Sequence, residues 1–316
     1  MVVKSEDVAA AAGVSRATVS QILNGRGERF SAATREKVHK VAAELGYQPS
    51  IAARTLAKGS SDIIIVLIPD SHISTNLQEV LEAAAEGLQR HGYTLLLRLA
   101  TSSTDLLETL VVQLQPRAVI SILPLTPEER AVLERHRITV VGASEANHDF
   151  DRMIGRIQAD HLASHGYRQL AYIHSIDPRY TAWGAPREAG LAALCAERGL
   201  PAPIVDRLRL DPQEATRIIN ELPKGTGVAC YNDDIAIALM VAARVLGRKV
   251  PGDIGLIGFD ATPLSAITNP RLTTLSIDVE LATRGLIGPL GAALGLPATA
   301  DPTGLRMPHI IEGGSV

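Results

Sequence analysis

Over residues 5–46 apolar side chains recur at helical spacing in three short runs, each broken by small polar or glycine residues. The first run, with Val8 and Ala11 among its apolar positions, starts at Ser5, a residue suited to capping, and ends at Ala12-Gly13-Val14-Ser15. Gly13 is free to take a positive φ there. Ser15 caps a second predicted helix, Arg16 to Leu23, closed by Asn24-Gly25. Ser31 starts a third, which runs to Leu45 and stops at Gly46. Val8, Ala12, Val14, Val19, Ile22, Leu23, Val38 and Leu45 suffice for one small core. Gln48-Pro49-Ser50 then interrupts the pattern, and a short helical stretch, Ile51 to Lys58, ends at Gly59-Ser60-Ser61. It is too short to hold a helix alone in water, because nucleation dominates below about 12–15 residues.

From Asp62 onward the period changes. Apolar, β-branched runs at 63–68, 94–99, 118–123, 138–141, 170–174, 204–210, 227–231 and 254–259 predict strands. Helical-period segments at 77–91, 104–114, 127–136, 156–165, 187–198, 212–222 and 233–246 lie between most of them. Such alternation predicts parallel sheets with helices on both faces. Eight strands fit one sheet, but residues 143–156 form a polar, strandless interruption after the fourth, so the pattern favours two α/β lobes with a cleft between them. Ligands of such sheets bind beyond the carboxyl ends of the strands.

Composition changes little in this picture. The chain is 46% hydrophobic and 21% charged, an ordinary core-forming mixture. No apolar run approaches the ~18 residues of a membrane helix. Acidic residues directly before the first apolar stretch argue against a signal peptide. Cys195 and Cys230 lie in apolar segments without metal spacing and read as buried thiols of a reducing cytoplasm. Charge changes the picture more. Residues 1–60 hold nine basic and five acidic side chains, a net +4, which leaves −7 for the remainder of a chain whose total is −3. A basic head on an acidic body suits phosphate binding by the head alone.

The run Asp7-Val-Ala-Ala-Ala-Ala-Gly13-Val-Ser-Arg16-Ala-Thr-Val-Ser20-Gln-Ile-Leu-Asn24 carries the strongest signal: a tight glycine turn lets two helices cross steeply. Arg16, Ala17, Ser20 and Gln21 then share one outward face, with Val19, Ile22 and Leu23 inward. The competing reading is a structural helical hairpin that touches no DNA. Here the sequence resembles the lactose-repressor family. The DVAxxAGVSxxTVSxxLN run, SAATREKV, ELGYQP and ARTLAKGSS match that family's head in order, and REAGLAAL (187–194), YNDDIAIAL (231–239), VPGDIGLIGFD (250–260) and LTTLSID (272–278) continue the match.

The resemblance implies an all-α helix-turn-helix head over 1–48, a hinge helix and linker over 49–61, and a periplasmic-binding-protein-like core over 62–316. The core's first lobe would take about 62–148 and 278–296, and its second about 149–277 and 297–316. It also implies homodimers on palindromic double-stranded operator DNA, with release or retention controlled by a small polar effector. The end of the sequence, Ile310 to Val316, has no heptad pattern, so dimers rather than tetramers are expected. By resemblance Ser15, Arg16, Ala17, Thr18, Ser20, Gln21, Asn24 and Arg54 contact DNA. Arg16, Ala17 and Gln21 would meet base edges, while Leu56 would enter the minor groove as a wedge. The alternative for Leu56 is packing on the core from an unstructured linker.

The family's effector contacts map to Arg187, Asn232 and Asp260. The alternative is that Arg187 and Asp260 only brace each other or the hinge between the lobes. Where sugar- and purine-binding members place aromatic rings before the first core helix, this chain has Asn76 and Leu77, and another family ring falls loosely on Asp211. That leaves Trp183 as a single wall, beside either a small polar ligand or a pocket that has lost its ligand. No GxGxxG, GxxxxGK[ST], GxSxG or HExxH occurs, so no cofactor and no enzymatic activity are expected. His161 and His165, four apart, read as a solvated helix face rather than a metal pair. Two other functions stay open: an activator or effector-independent regulator with the same DNA contacts, and an α/β enzyme with a DNA-tethering head.

Overall fold

The computed structural model describes residues 3–23, 27–47, 60–69, 75–100, 104–122, 124–142, 148–296 and 308–316. Residues 49–59 of the proposed hinge and linker, with Arg54 and Leu56, and Asn24-Gly25 lie outside these residues.

The head is three helices, α1 (Ser5–Ala12), α2 (Arg16–Leu23) and α3 (Ala32–Glu44). Ser5 is not the cap of α1. Lys4 is, because Asp7 reaches back to accept its backbone N–H at 2.7 Å, and the Asp7 charge also favours a helix N-terminus. Gly13, at φ +67°, ends α1 in the left-handed region that a side chain would strain. Ser15 does cap α2, its Oγ accepting from the Thr18 N–H at 3.1 Å, and Ser31 caps α3 in the same way through Thr34. Val8, Ala9, Ala12, Val19, Ile22, Val38 and Ala42 form the core, with Val41 and Tyr47 packed on it. Ala11 faces solvent, and Leu45 is 38% exposed. Leu45 is the C-cap residue of α3, and Tyr47 packs on the core after it, its N–H donating to the Ala42 carbonyl.

Two four-stranded parallel sheets follow. The first holds β1 (Ile63–Pro69), β2 (Thr94–Ala100), β3 (Ala118–Ser121) and β4 (Thr139–Gly142) in the order β2-β1-β3-β4. The second holds β5 (Gln169–Ser175), β6 (Ile204–Leu208), β7 (Thr226–Cys230) and β8 (Ile254–Ile257) in the equivalent order β6-β5-β7-β8. The inner strands β3 and β7, and also β8 at the end of its sheet, are buried at every position, as sheets covered on both faces require. Each sheet has a separate apolar cluster on either face.

Between the strands run α4 (Thr75–Gln89), α5 (Asp105–Leu114), α6 (Pro127–Arg135), α7 (His148–Ser164), α8 (Thr181–Glu197), α9 (Pro212–Glu221) and α10 (Asp233–Val245). A short α11 (Pro263–Ile267) leads to β9 (Thr274–Ser276). The chain then returns to the first sheet through α12 (Val279–Leu294), which packs on α4 and buries Leu290 beside Ile64 and Val66. It comes back once more as β10 (His309–Ile311), antiparallel to β9. Ser315 finally lies along β8, its carbonyl accepting from Leu256 N–H and its Oγ donating to Leu256 O.

Two helices begin earlier than the pattern predicts. Residues 148–156 of the polar interruption at 143–156 are helix: α7 starts at His148, with Asp149 and Asp151 in its first turn, where carboxylates favour the helix dipole. α8 starts at Thr181 and runs through Pro186. The 204–210 run stops as a strand at Leu208, because Asp211 caps α9 by accepting from Gln213 and Glu214 N–H groups.

Candidate nucleic-acid interface and ligand site

Helix α2 holds its apolar residues Val19 and Ile22 in the core, which turns Arg16, Ala17 and Ser20 to solvent and leaves Gln21 half-buried. Thr18 is also half-buried, tied to the exposed Ser15 through both its N–H and its hydroxyl (3.1 and 2.9 Å). Arg16 has a neighbour that its sequence position did not announce. Its Nη1 lies 3.4 Å from Glu6 Oε1 on α1, both side chains being well exposed.

The second site grows from the contact between α7 and α8. Gly155 of α7 lies against the backbone of Arg187, where a Cβ would fall 1.8 Å from the carbonyl oxygen. Reciprocally, a Cβ on Gly190 of α8 would fall 2.0 Å from the carbonyl oxygen of Arg152. Only glycines allow this approach. It brings Asp151, one turn before Gly155, against Arg187, which donates from Nε to Asp151 Oδ1 at 2.8 Å and from Nη1 to the Tyr231 carbonyl at 3.1 Å. The guanidinium also lies 4.2 Å from the ring centre of Phe259 and 5.0 Å from that of Tyr231. Burial is the largest influence on Arg187 and works against its charge, but Asp151 together with Tyr231 and Tyr172 outweighs it and holds the guanidinium protonated; burial likewise pushes the Asp151 carboxyl up, against the pull of Arg187.

The remaining residues come from segments directly after strand ends, where parallel sheets place ligands. Tyr231 follows β7, and Phe259 and Asp260 follow β8. Asp260 has φ +107°, an uncommon conformation for a non-glycine residue, pinned by its N–H bond to Leu275 O at 3.0 Å. It is recessed, and burial raises its carboxyl to about 8, with Asp233 and Asp234 adding to the rise and Arg187 opposing it. Arg187 and Asp260 are therefore neighbours but not mutual hydrogen-bond partners; Asp151 takes that role. Asn232 caps α10, its Oδ1 accepting from Ile235 N–H at 3.1 Å, so that oxygen is occupied by the fold. Trp183 is half-buried and stacks on Tyr180 with ring centres 6.0 Å apart, and Tyr180 in turn lies 5.3 Å from Tyr231. The site thus has a run of three rings where the sequence offered one.

Sequence reasoning missed Asp151, Tyr180, Tyr231 and Phe259. It also missed Gln158, whose buried amide donates to the carbonyls of Cys230 and Gly258 and ties the ends of β7 and β8 together. A signal existed in the two helical glycines, each one turn after a charged residue, but nothing in the sequence pairs one with the other. His161 is not on a solvated face. It is buried, 3.6 Å from Glu312 and tilted against His165, and no group of three metal-ligating side chains occurs among the described residues. Cys195 and Cys230 are free and buried. No helix among the described residues is long and apolar enough to cross a membrane.

A small head with a polar face on its second helix can grip a nucleic acid but has no interior for a ligand. The two-sheet core has the opposite capacity, so the pair defines a DNA-binding regulator with an attached ligand-type core. Residues 6–50 match the bacterial regulatory proteins of the lacI family, and residues 159–316 match a periplasmic binding protein-like domain. The transcriptional repressor PurR of Vibrio parahaemolyticus is 30% identical, covering 85% of this chain and 85% of its own length. The transcriptional regulator MalR of Streptomyces coelicolor is 28% identical, covering 100% of this chain and 97% of its own. In three dimensions the lac repressor dimer bound to operator and the anti-inducer ONPF aligns with a TM-score of 0.79 at 24% identity, over 100% of this chain and 99% of that one. The chain belongs to the lacI family of bacterial regulatory proteins and is a DNA-binding transcriptional regulator.

Proposed function

We propose that the protein is a cytoplasmic repressor that grips a palindromic operator as a homodimer and responds to a small polar effector. The observation that carries the DNA half is α2 itself: its buried Val19 and Ile22 fix which side chains face outward, and these include Arg16, Ala17 and Ser20. Arg16 suits guanine O6/N7, Gln21 suits adenine N6/N7, and Ala17 suits a thymine methyl. Ser15 and Thr18 sit where a helix N-terminus meets phosphate. Selection of binding sites from random DNA tests this. Gln21→Ala erases the preference at one base pair per half-site, costing about 1–3 kcal/mol per lost contact; uniform weakening on every sequence would assign Gln21 to phosphate instead.

The effector contacts are Arg187, Asp260, Trp183 and the amide nitrogen of Asn232, with Tyr180 and Tyr231 as further walls. In support, Asn232 and Asp260 follow the ends of β7 and β8, Arg187 bonds the Tyr231 carbonyl there, and Asp260 holds an uncommon backbone conformation. For the second protomer we assign the apolar stripe on α10, where Val241 and Val245, one turn apart, are 57% and 73% exposed. Val245→Arg in this reading yields monomers by sedimentation and weakens operator binding, because two half-sites are no longer held together.

A further inference from the structure

We infer that the end of the first sheet at which the chain enters from the head is a second DNA-facing surface, where Arg90, Arg117 and Arg137 neutralise backbone phosphates of the duplex that the head holds. DNA binding then draws on the core as well as on α2, and the added contacts carry no sequence preference.

Placement is the first ground. Ser61, where the connection from the head reaches the core, is buried, and its N–H and hydroxyl both donate to the Gln115 carbonyl, at 2.8 and 3.1 Å. The neighbouring strand entrances lie alongside: Thr94 N–H donates to Asp62 O at 2.9 Å, and Arg117 N–H donates to Ile63 O at 2.7 Å. Arg90 precedes β2 by four residues, Arg117 directly precedes β3, and Arg137 precedes β4 by two. With the order β2-β1-β3-β4 and about 4.8 Å between strands, the three span roughly 14 Å on the side where the head is tethered. Duplex DNA carries one charge per about 1.7 Å of axis, so several phosphates fall within such a row. All three side chains are exposed, and none forms an ion pair or side-chain hydrogen bond among the described residues. At the corresponding end of the second sheet the fold uses its cations: Lys224 lies 3.1 Å from Asp253, and Arg248 donates to the carbonyls of Ile219 and Leu222. The net negative charge of the body does not oppose the contact, because salt screens charges beyond about 8–10 Å.

Backbone conformation is the second ground, independent of the first. Among the described residues six helices of the core close alike, one N–H reaching back three residues and the next reaching back five. After α4, α7, α8, α10 and α12 the residue at that turn is Gly92, Gly166, Gly199, Gly247 and Gly295, each with positive φ. After α6 it is Arg137, at φ +55°. Gln115, at φ +43° after α5, is a second left-handed exit that keeps a side chain, and Ser61 docks on its carbonyl. Glycine is favoured in this conformation, so both positions retain a side chain at a cost to stability. The helix dipole does not account for Arg137, since Arg135 already occupies the last turn of α6.

The test is the salt dependence of DNA binding by the full-length protein, on duplexes of about 40 base pairs, one recovered by the site selection above and one of scrambled sequence. Each arginine that neutralises a phosphate contributes about 0.9 to the slope of log K against log salt. Arg90→Ala/Arg117→Ala/Arg137→Gly should make that slope shallower by at least about 2 on both duplexes and weaken binding at least about tenfold near 0.1 M salt. The base preference found by selection should stay as it is. Arg168→Ala/Lys224→Ala/Lys249→Ala removes the same charge from the corresponding end of the second sheet and should leave the slope unchanged. Arg137→Gly alone should raise the urea midpoint of the core while weakening DNA binding, and Arg137→Lys should keep the binding; a residue with only a structural role would not move stability and binding in opposite directions. An equal loss in both triple variants would assign the effect to overall charge, and an unchanged slope in the first would leave this face off the DNA. Either result overturns the inference.

Discussion

The two candidate sites of this molecule are built in opposite ways. On α2 the side chains expected to read DNA follow one another within six positions, and all but the half-buried Gln21 face solvent. Around Arg187 the functional groups come from Asn76 to Asp260, are buried or recessed, and hold one another in place. An exposed site depends on local helix geometry, so each residue contributes nearly independently. A buried polar site is a network in which one deletion leaves a partner without its match. The first can change specificity residue by residue; the second resists such change.

The largest effect that contrast predicts is at Asp151. Asp151→Ala leaves Arg187 charged and buried without its carboxylate, a loss of about 3–5 kcal/mol in core stability. Urea unfolding followed at Trp183 measures it without interference from the head, which has no tryptophan. The double variant Asp151→Ala/Arg187→Met should recover a large part of the loss, because both charges are gone; no recovery would mean that the pair is not a closed unit.

The pH dependence of the same network comes next. Asp260 holds its proton more firmly in the folded core than in the unfolded chain, at about 8 against an ordinary 3.8. Its contribution to stability is therefore full below about pH 4, falls as pH rises through that window, and is lost above about 8. The pH profile of core stability in wild type should slope downward relative to Asp260→Asn between those limits. Parallel profiles would show Asp260 to be as solvated as the head residues are.

The head should give smaller and more local responses. Ser15→Ala removes the bond to Thr18 N–H and lowers head stability by about 1 kcal/mol, read as faster amide exchange in α2 with no change at Trp183. Smallest of all is Glu6→Gln. The Arg16–Glu6 pair is exposed on both sides, and such pairs contribute about 0–1 kcal/mol. Stability should barely move, while operator affinity should rise slightly as Arg16 loses a competitor for guanine. A loss of more than about 1 kcal/mol in stability would place this pair with the buried network instead.

The sequence by itself determined the three head helices, the cap at Ser15, the turn at Gly13 and the eight parallel strands. Each of these follows from neighbours within a few positions: a side chain that accepts from a nearby N–H, or a run of β-branched residues long enough to cross a sheet. It also determined which residues of α2 face outward, because helical period and apolar position fix a face without reference to anything distant. Only the tertiary structure decided that Arg187 meets Asp151 rather than Asp260. That choice is made by Gly155 and Gly190, 35 positions apart, letting two helix backbones touch. The same holds for His161, which closure of the C-terminal segment buries beside Glu312, and for the ring run of Tyr180, Trp183 and Tyr231, assembled from two strand ends. Burial and pairing are properties of surfaces that meet, and the positions of those surfaces are set by the packing of the sheets and not by the order of residues along the chain.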